Sequence, residues 1–130
     1  MDRATLKRAI VALLDTLASE HPQGHQRSKG RRYVLRSEFG ADVALMFEQN
    51  EGSPPNLWVE ERLGAPLKGC TATAPKRSSA AALFRSPGKY GRHSALQSMP
   101  ELEAADLLCF APRDLEEVGR LLDGLLGAKP

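Results

Sequence analysis

Tyr33-Val34-Leu35-Arg36-Ser37-Glu38-Phe39-Gly40-Ala41-Asp42-Val43-Ala44-Leu45-Met46-Phe47-Glu48 is the stretch that decides the fold. Two runs rich in strand-forming residues flank Gly40-Ala41. Val43, Leu45 and Phe47 alternate with Ala44 and Met46, so one face of the second run is strongly apolar. Glycine at the first central position of a two-residue connection suits a type II′ turn, whose twist matches that of the strands it joins. The reading is a hairpin of strands 33–39 and 42–48. Residues 49–56, with Gly52, Pro54 and Pro55, form a loop, and Leu57 to Arg62 adds a third strand to an antiparallel meander.

Helical patterns lie on either side. From Thr5 to Ser19, Leu6, Ile10, Leu13, Leu14 and Leu17 recur at helical spacing, with Asp2 placed as a cap and Pro22 as a stop. Ile10, Leu13, Leu14 and Leu17 are expected to face Val43, Leu45, Leu122 and Leu125. From Asp114 to Leu126, Leu115, Val118, Leu121, Leu122 and Leu125 make a second stripe. Asp114 and Glu117 form a capping-box pair there, and Gly127 is a C-terminal stop. Leu107 to Phe110 reads as a short buried strand. Residues 63–82 read as a long loop ending in a short helix at 79–83, and another short helix is expected near Pro100. The fold class is α+β. A small antiparallel sheet, the three-strand meander plus a short later strand, is covered by the N- and C-terminal helices.

With 130 residues, the chain fits one domain spanning 1–130. Hydrophobic residues at 42% and charged residues at 26% exclude wholesale disorder. No apolar run approaches the roughly 20 residues that span a membrane, and the N-terminus lacks signal-peptide character. Cys70 and Cys109 are too few for a disulfide framework, so a reducing, cytoplasmic setting is expected. Cys109, in an apolar run, is expected to be buried, and Cys70 more accessible. A single disulfide between them stays open at this point.

Charge is unevenly distributed. Net charge is only +2, yet residues 21–37 carry five bases and no acid, and residues 62–100 carry seven bases and no acid. Residues 38–61 carry six acids and no base. If the basic blocks converge in space they form the electrostatic footprint of a phosphate backbone. If instead they pair with the chain's own carboxylates, no such face forms. The candidate phosphate-binding residues are Arg31, Arg32, Arg36, Arg85, Lys89, Tyr90, Arg92 and His93. The last four crowd a glycine-containing stretch, where the backbone can approach a ligand closely.

Two catalytic arrangements are weighed against binding. Lys89, Arg92 and His93 could serve a metal-independent nuclease as acid, base and phosphate clamp. Asp42, Glu48 and Glu60 could serve a metal-dependent one, since carboxylates at strand ends hold magnesium in such enzymes. The element order is similar to the restriction-endonuclease-like core, whose third strand carries an acid, any residue, then lysine. Glu60-Glu61-Arg62 places arginine last, which cannot act as a base, and the chain is not assigned to that family. His21 and His25 are spaced for one helix face, but Pro22 and Gly24 break the helix, so no metal site is expected, and no cofactor motif is present. The sequence therefore favours a small non-enzymatic binding protein. Its partner would be nucleic acid or a nucleic-acid-handling protein; a protein-binding inhibitor or accessory factor is the other binding reading.

Overall fold

The computed structural model describes residues 1–67, 69–80 and 90–130. Helix α1 (Arg3–Leu17) starts where the Asp2 side chain accepts the Thr5 N–H at 2.7 Å. It ends where Ala18 turns extended with its N–H on the Leu14 carbonyl. Six strands follow in one antiparallel sheet: β1 (Ser19–Glu20), β2 (Gly30–Arg36), β3 (Asp42–Glu48), β4 (Leu57–Glu60), β5 (Lys76–Ser78) and β6 (Leu107–Phe110). Their spatial order is β1-β2-β3-β4-β6-β5. Between β4 and β5 lie a 3₁₀ turn (Glu61–Leu63) and the one-turn helix α2 (Gly64–Leu67). The final helix, α3 (Leu115–Leu126), is capped by Asp114, whose carboxylate accepts the Glu117 N–H at 2.9 Å.

The strand pattern divides the residues between two faces. Tyr33, Leu35, Val43, Leu45, Phe47, Leu57, Val59, Leu108 and Phe110 share one face and pack beneath α1 and α3. The fully buried Leu14 and the nearly buried Leu121 close this layer from above. Each such leucine contributes about 1.5–3 kcal/mol of burial. Tyr33 anchors α1 to the sheet: its hydroxyl donates to Asp15 Oδ1 and accepts from Arg31 Nε, both at 2.7 Å. On the opposite face, Ala44, Met46 and Leu107 meet Ala95, Leu96, Met99 and Leu102, with Trp58 and Tyr90 against them. Residues 90–106 thus form a thin cover, mostly turns around a 3₁₀ segment at Ser94–Leu96.

Gly30 permits that cover to sit close. A Cβ there would lie 2.4 Å from the Ala95 Cβ and 3.0 Å from the Met46 Sδ. Only a hydrogen fits between β2 and the cover.

The α+β class and the two covering helices are as expected, and the sheet is larger than expected. β1 and β5 add one edge each. The hairpin has a five-residue loop, with Arg36 opposite Asp42, in place of a two-residue turn. Ser37 organises this loop: its Oγ accepts the Ala41 N–H and donates to the Ala128 carbonyl, tying the loop to the end of α3. Gly40 supplies the positive φ, +83°. The third strand stops at Glu60, where the 3₁₀ turn begins. Leu13, Leu17 and Leu115 are exposed, because the two helices lie side by side and bury narrower stripes than the sequence suggests. Near Pro100 the chain forms successive turns and no helix. The expected helix at 79–83 lies mostly outside the described residues.

Candidate functional site

An open groove of about 840 Å³ runs along one flank of α1. The helix sets Arg3, Lys7, Arg8 and Val11 along it, because positions three and four apart share a helix face. The segment after β3 supplies Gln49 and Glu51 from the other side. Arg3 and Arg8 are exposed and form no ion pair among the described residues. Lys7 is nearly buried, and its ammonium donates to the Asn50 carbonyl and to Ser53 Oγ. Asp15 also lines the groove, but its carboxylate is held by Tyr33 and Arg31. Those bonds, the Tyr33 hydroxyl first, keep the Asp15 carboxyl below its ordinary range.

Gln49 joins this groove to the loop before β2. Its side-chain amide donates to the Gln26 carbonyl and its backbone N–H to the Lys29 carbonyl. Arg27 and Lys29 project from that loop, exposed and without an ion pair among the described residues. The groove therefore carries Arg3, Lys7 and Arg8 beside Gln49 and the exposed Glu51, and the loop that bears Arg27 and Lys29 adjoins it through the contacts of Gln49 with that loop's backbone.

The residues singled out from the sequence fare differently. Arg31 pairs with Asp15 at 3.0 Å, and exposed Arg36 with Asp42 at 2.9 Å, at the opposite end of β3. Arg32 is buried and spends its guanidinium on four backbone carbonyls: Ala95 (2.7 Å), Gly24 (3.1 Å), Gln97 (3.2 Å) and Gln23 (3.4 Å). Arg92 likewise binds the carbonyls of Ser78, Leu102 and Glu103, and Ser78 Oγ. Tyr90 donates its hydroxyl to the Glu103 carbonyl. Arg32 and Arg92 are thus struts that stitch the cover to the sheet, and Tyr90 ties one part of the cover to another. Arg85 and Lys89 lie outside the described residues. Among the described residues of the second basic block, Arg62 pairs with Glu60, and Arg77 with Glu61 and Asp106.

The three carboxylates do not converge. Asp42 and Glu48 stand at opposite ends of a seven-residue strand, roughly 20 Å apart at about 3.3 Å per residue. Glu60 is bound to Arg62 on the neighbouring strand. Among the described residues, no three His, Cys, Asp or Glu side chains are grouped to hold a metal ion. Glu48 is buried instead beside the second hydrophobic layer, where its Oε2 accepts the Trp58 indole N–H at 2.8 Å. His93 Nε2 stands 3.7 Å from the other oxygen. Cys109, opposite Trp58 in the register, is buried as expected. Burial, with Glu48 nearby, pushes its thiol up to about 12, far from a nucleophile's range. Cys70 is half-buried, and neither cysteine is in a disulfide.

The histidines share one geometry. The Nδ1 atoms of His21, His25 and His93 accept backbone N–H groups from Gln23, Arg32 and Ala95, at 3.0, 2.9 and 3.0 Å. Each Nε2 points at a glutamate: Glu101, Glu20 and Glu48 respectively. With Nδ1 an acceptor, each ring is the Nε2–H tautomer. None has a ring nitrogen left to act as a base on a ligand.

A second groove, about 660 Å³, lies over Leu67, Leu108 and Phe110. Its carboxylate, Glu61, is already bound to Arg77.

The sequence reading missed Arg3 and Arg8, because residues 1–20 sum to zero charge. The available signal was angular: Arg3, Lys7 and Arg8 share a helix flank while Asp2 is spent as the cap.

Comparison of the chain with models of known families, with curated proteins and with solved structures returns no match. No helix among the described residues is long and apolar enough to cross a membrane.

Proposed function

We propose that this protein is a non-catalytic binding module for a polyanion, with nucleic acid as the partner, engaged through the α1 groove and the adjoining Arg27–Lys29 loop. The observation that carries the reading is the pair Arg3 and Arg8 along the α1 groove, exposed and without ion pairs among the described residues, with the exposed Arg27 and Lys29 on the loop that Gln49 joins to it. Cations that a fold leaves unneutralised on one rim attract phosphates, each contact releasing a counterion. The apolar floor at Val11 and Ala12 is suited to the flat face of an unstacked base, which favours single strands over duplex. Binding is favoured over catalysis because the imidazoles, Arg32 and Arg92 have their hydrogen-bonding atoms committed within the fold. The cytoplasmic setting belongs to this reading, and two thiols outside any disulfide support it.

The test is a salt titration of binding to a labelled single-stranded RNA and a labelled duplex. Affinity should fall with salt at a slope of about −0.7 per contact on single strands and about −0.9 on duplex. Arg3→Ala and Arg8→Ala should each flatten the slope, whereas Arg36→Ala, at the far end of β3, should leave it unchanged. Absence of binding to either at about 50 mM salt, where the electrostatic attraction is still strong, would overturn the proposal. So would an Arg36→Ala effect as large as that of Arg3→Ala.

A further inference from the structure

The cover on the second sheet face is held by two kinds of stitch. One kind is indifferent to pH: Arg92, from within the cover, binds the Oγ and the carbonyl of Ser78 on β5. The His21 Nε2–H bond to Glu101, at 3.0 Å, ties the far end of the cover and lies apart from residues 93–97. The other kind concerns residues 93–97. His93 Nδ1 accepts the Ala95 N–H and so caps the 3₁₀ turn Ser94–Leu96. The Ala95 and Gln97 carbonyls bind the Arg32 guanidinium. Arg32 is itself set by His25, whose Nδ1 accepts the Arg32 N–H.

A proton arriving at Nδ1 of either ring must displace the backbone N–H already there. Two N–H groups would then face each other at about 3 Å, which no hydrogen bond can span. At His93 this dissolves the cap that shapes the 93–97 segment. At His25 it frees the N–H of the residue that grips the segment's carbonyls. We propose that residues 93–97 are an acid-released flap beside Glu48 and Trp58, latched at neutral pH by the unprotonated Nδ1 atoms of His93 and His25 on either side of Arg32.

The surroundings of both rings agree with this. His93 faces Glu48 from β3, Lys29 from the preceding loop and Arg32 from β2. His25 faces Glu20, Asp15 from α1, and Arg31 and Arg32 from β2, and its ring packs 5.0 Å from that of Tyr33. Burial outweighs the nearby carboxylates in both cases and lowers both imidazoles below the ordinary histidine value of 6.5. A lowered histidine favours the folded arrangement while neutral. The latch is therefore intact above pH 6.5 and is lost as pH falls below that value through the folded-state pKa. The cap and the buried Ala95 move first, while the helical layer on the other face, which meets the His25 ring at Tyr33, stays closed.

Trp58, the single tryptophan, reports the event, because it packs against this layer and its indole N–H is bound to Glu48. The experiment follows Trp58 emission and far-UV circular dichroism on the full chain from about pH 8 to about pH 5, on either side of the ordinary histidine value. A red shift in Trp58 emission below pH 6.5, with the dichroism unchanged, is expected. Asparagine keeps an acceptor for each backbone N–H but does not titrate, so His25→Asn with His93→Asn should abolish the shift. Persistence of the shift in that double variant overturns the proposal, as does emission that changes only together with the dichroism. NMR of the ring nitrogens in the unmodified chain gives a second readout. Nε2–H tautomers at His25 and His93, titrating below 6.5, are expected. An Nδ1–H tautomer, or midpoints above 6.5, overturns it even where the variant does not fold.

Discussion

Gly30→Ala tests whether the second face is closed as tightly as the structure has it. The added Cβ would stand 2.4 Å from Ala95 Cβ, whereas carbons pack at about 3.5–4.0 Å. A displacement of about 1 Å or more is required, and Ala95 Cβ cannot swing aside because it is fixed to the backbone. Moving Ala95 strains its 2.7 Å bond to the Arg32 guanidinium and its 3.0 Å bond to His93. Overpacking costs about 1–3 kcal/mol, and loss of a hydrogen bond to a charged group a further 1.5–3 kcal/mol, roughly. The backbone gain from replacing glycine returns only about 0.5–1 kcal/mol. A net loss of about 1.5–5.5 kcal/mol is expected in urea unfolding followed by circular dichroism. Ala95→Gly removes the opposing carbon, so the double variant should recover a large part of the loss, a coupling that contacting residues show and distant ones do not. A loss below about 0.5 kcal/mol, the usual limit for a surface substitution, or a double variant that is merely additive, would refute the close approach.

Three further outcomes are expected. Leu14→Ala should cost about 2–5 kcal/mol in urea unfolding, and Leu122→Ala similarly, as for buried leucines elsewhere, while exposed Leu13→Ala should stay within about 0.5 kcal/mol; equal effects at 13 and 14 would reject the phase of α1. Native-state thiol labelling should modify Cys70 before Cys109, which is buried and holds its proton to about 12; the reverse order would reject the placement of β6. Burial raises the Tyr33 phenol from 10.0 to about 12, so its contribution to stability is complete below pH 10 and is lost as pH rises through about 12. Tyr33→Phe should remove that part of the alkaline destabilisation, and a wild-type tyrosine titration with both phenols near 10 would contradict it.

The hairpin and the two long helices were legible because their apolar residues repeat with the period of the element that buries them. Leu13, Leu17 and Leu115 fit the same periods and are exposed, since a repeat fixes the centre of a stripe but its width depends on what packs alongside. β1 and β5 were illegible for a different reason. Ser19-Glu20 and Lys76-Arg77-Ser78 are short, polar edge strands that bury no side chain of their own and exist through backbone bonds to β2 and β6. Of the candidate site, the presence of basic blocks was readable and the position of the unpaired cations was not. Arg32 and Arg92 resemble ligand-facing cations in a glycine-rich, acid-free sequence, yet both turn to backbone carbonyls that nearby turns leave unsatisfied. Arg3 and Arg8 were hidden in a segment of zero net charge, where only the angular phase of the helix separates bases from acids.

The insertion of β6 between β4 and β5 has a consequence for how the chain is made. Every other neighbouring pair in the sheet joins strands consecutive in sequence, so it can form as soon as its second member emerges. β4 is finished at residue 60, but the strand that covers its free edge ends at residue 110. At a synthesis rate of roughly 5–20 residues per second, that edge, with Leu57 and Val59 on it, waits on the order of 3–10 s for its partner. β5 waits as well, since among the described residues its one neighbour is β6. Until then the nascent chain is a helix-backed meander with an open apolar border, which is the kind of border along which unfinished chains join one another.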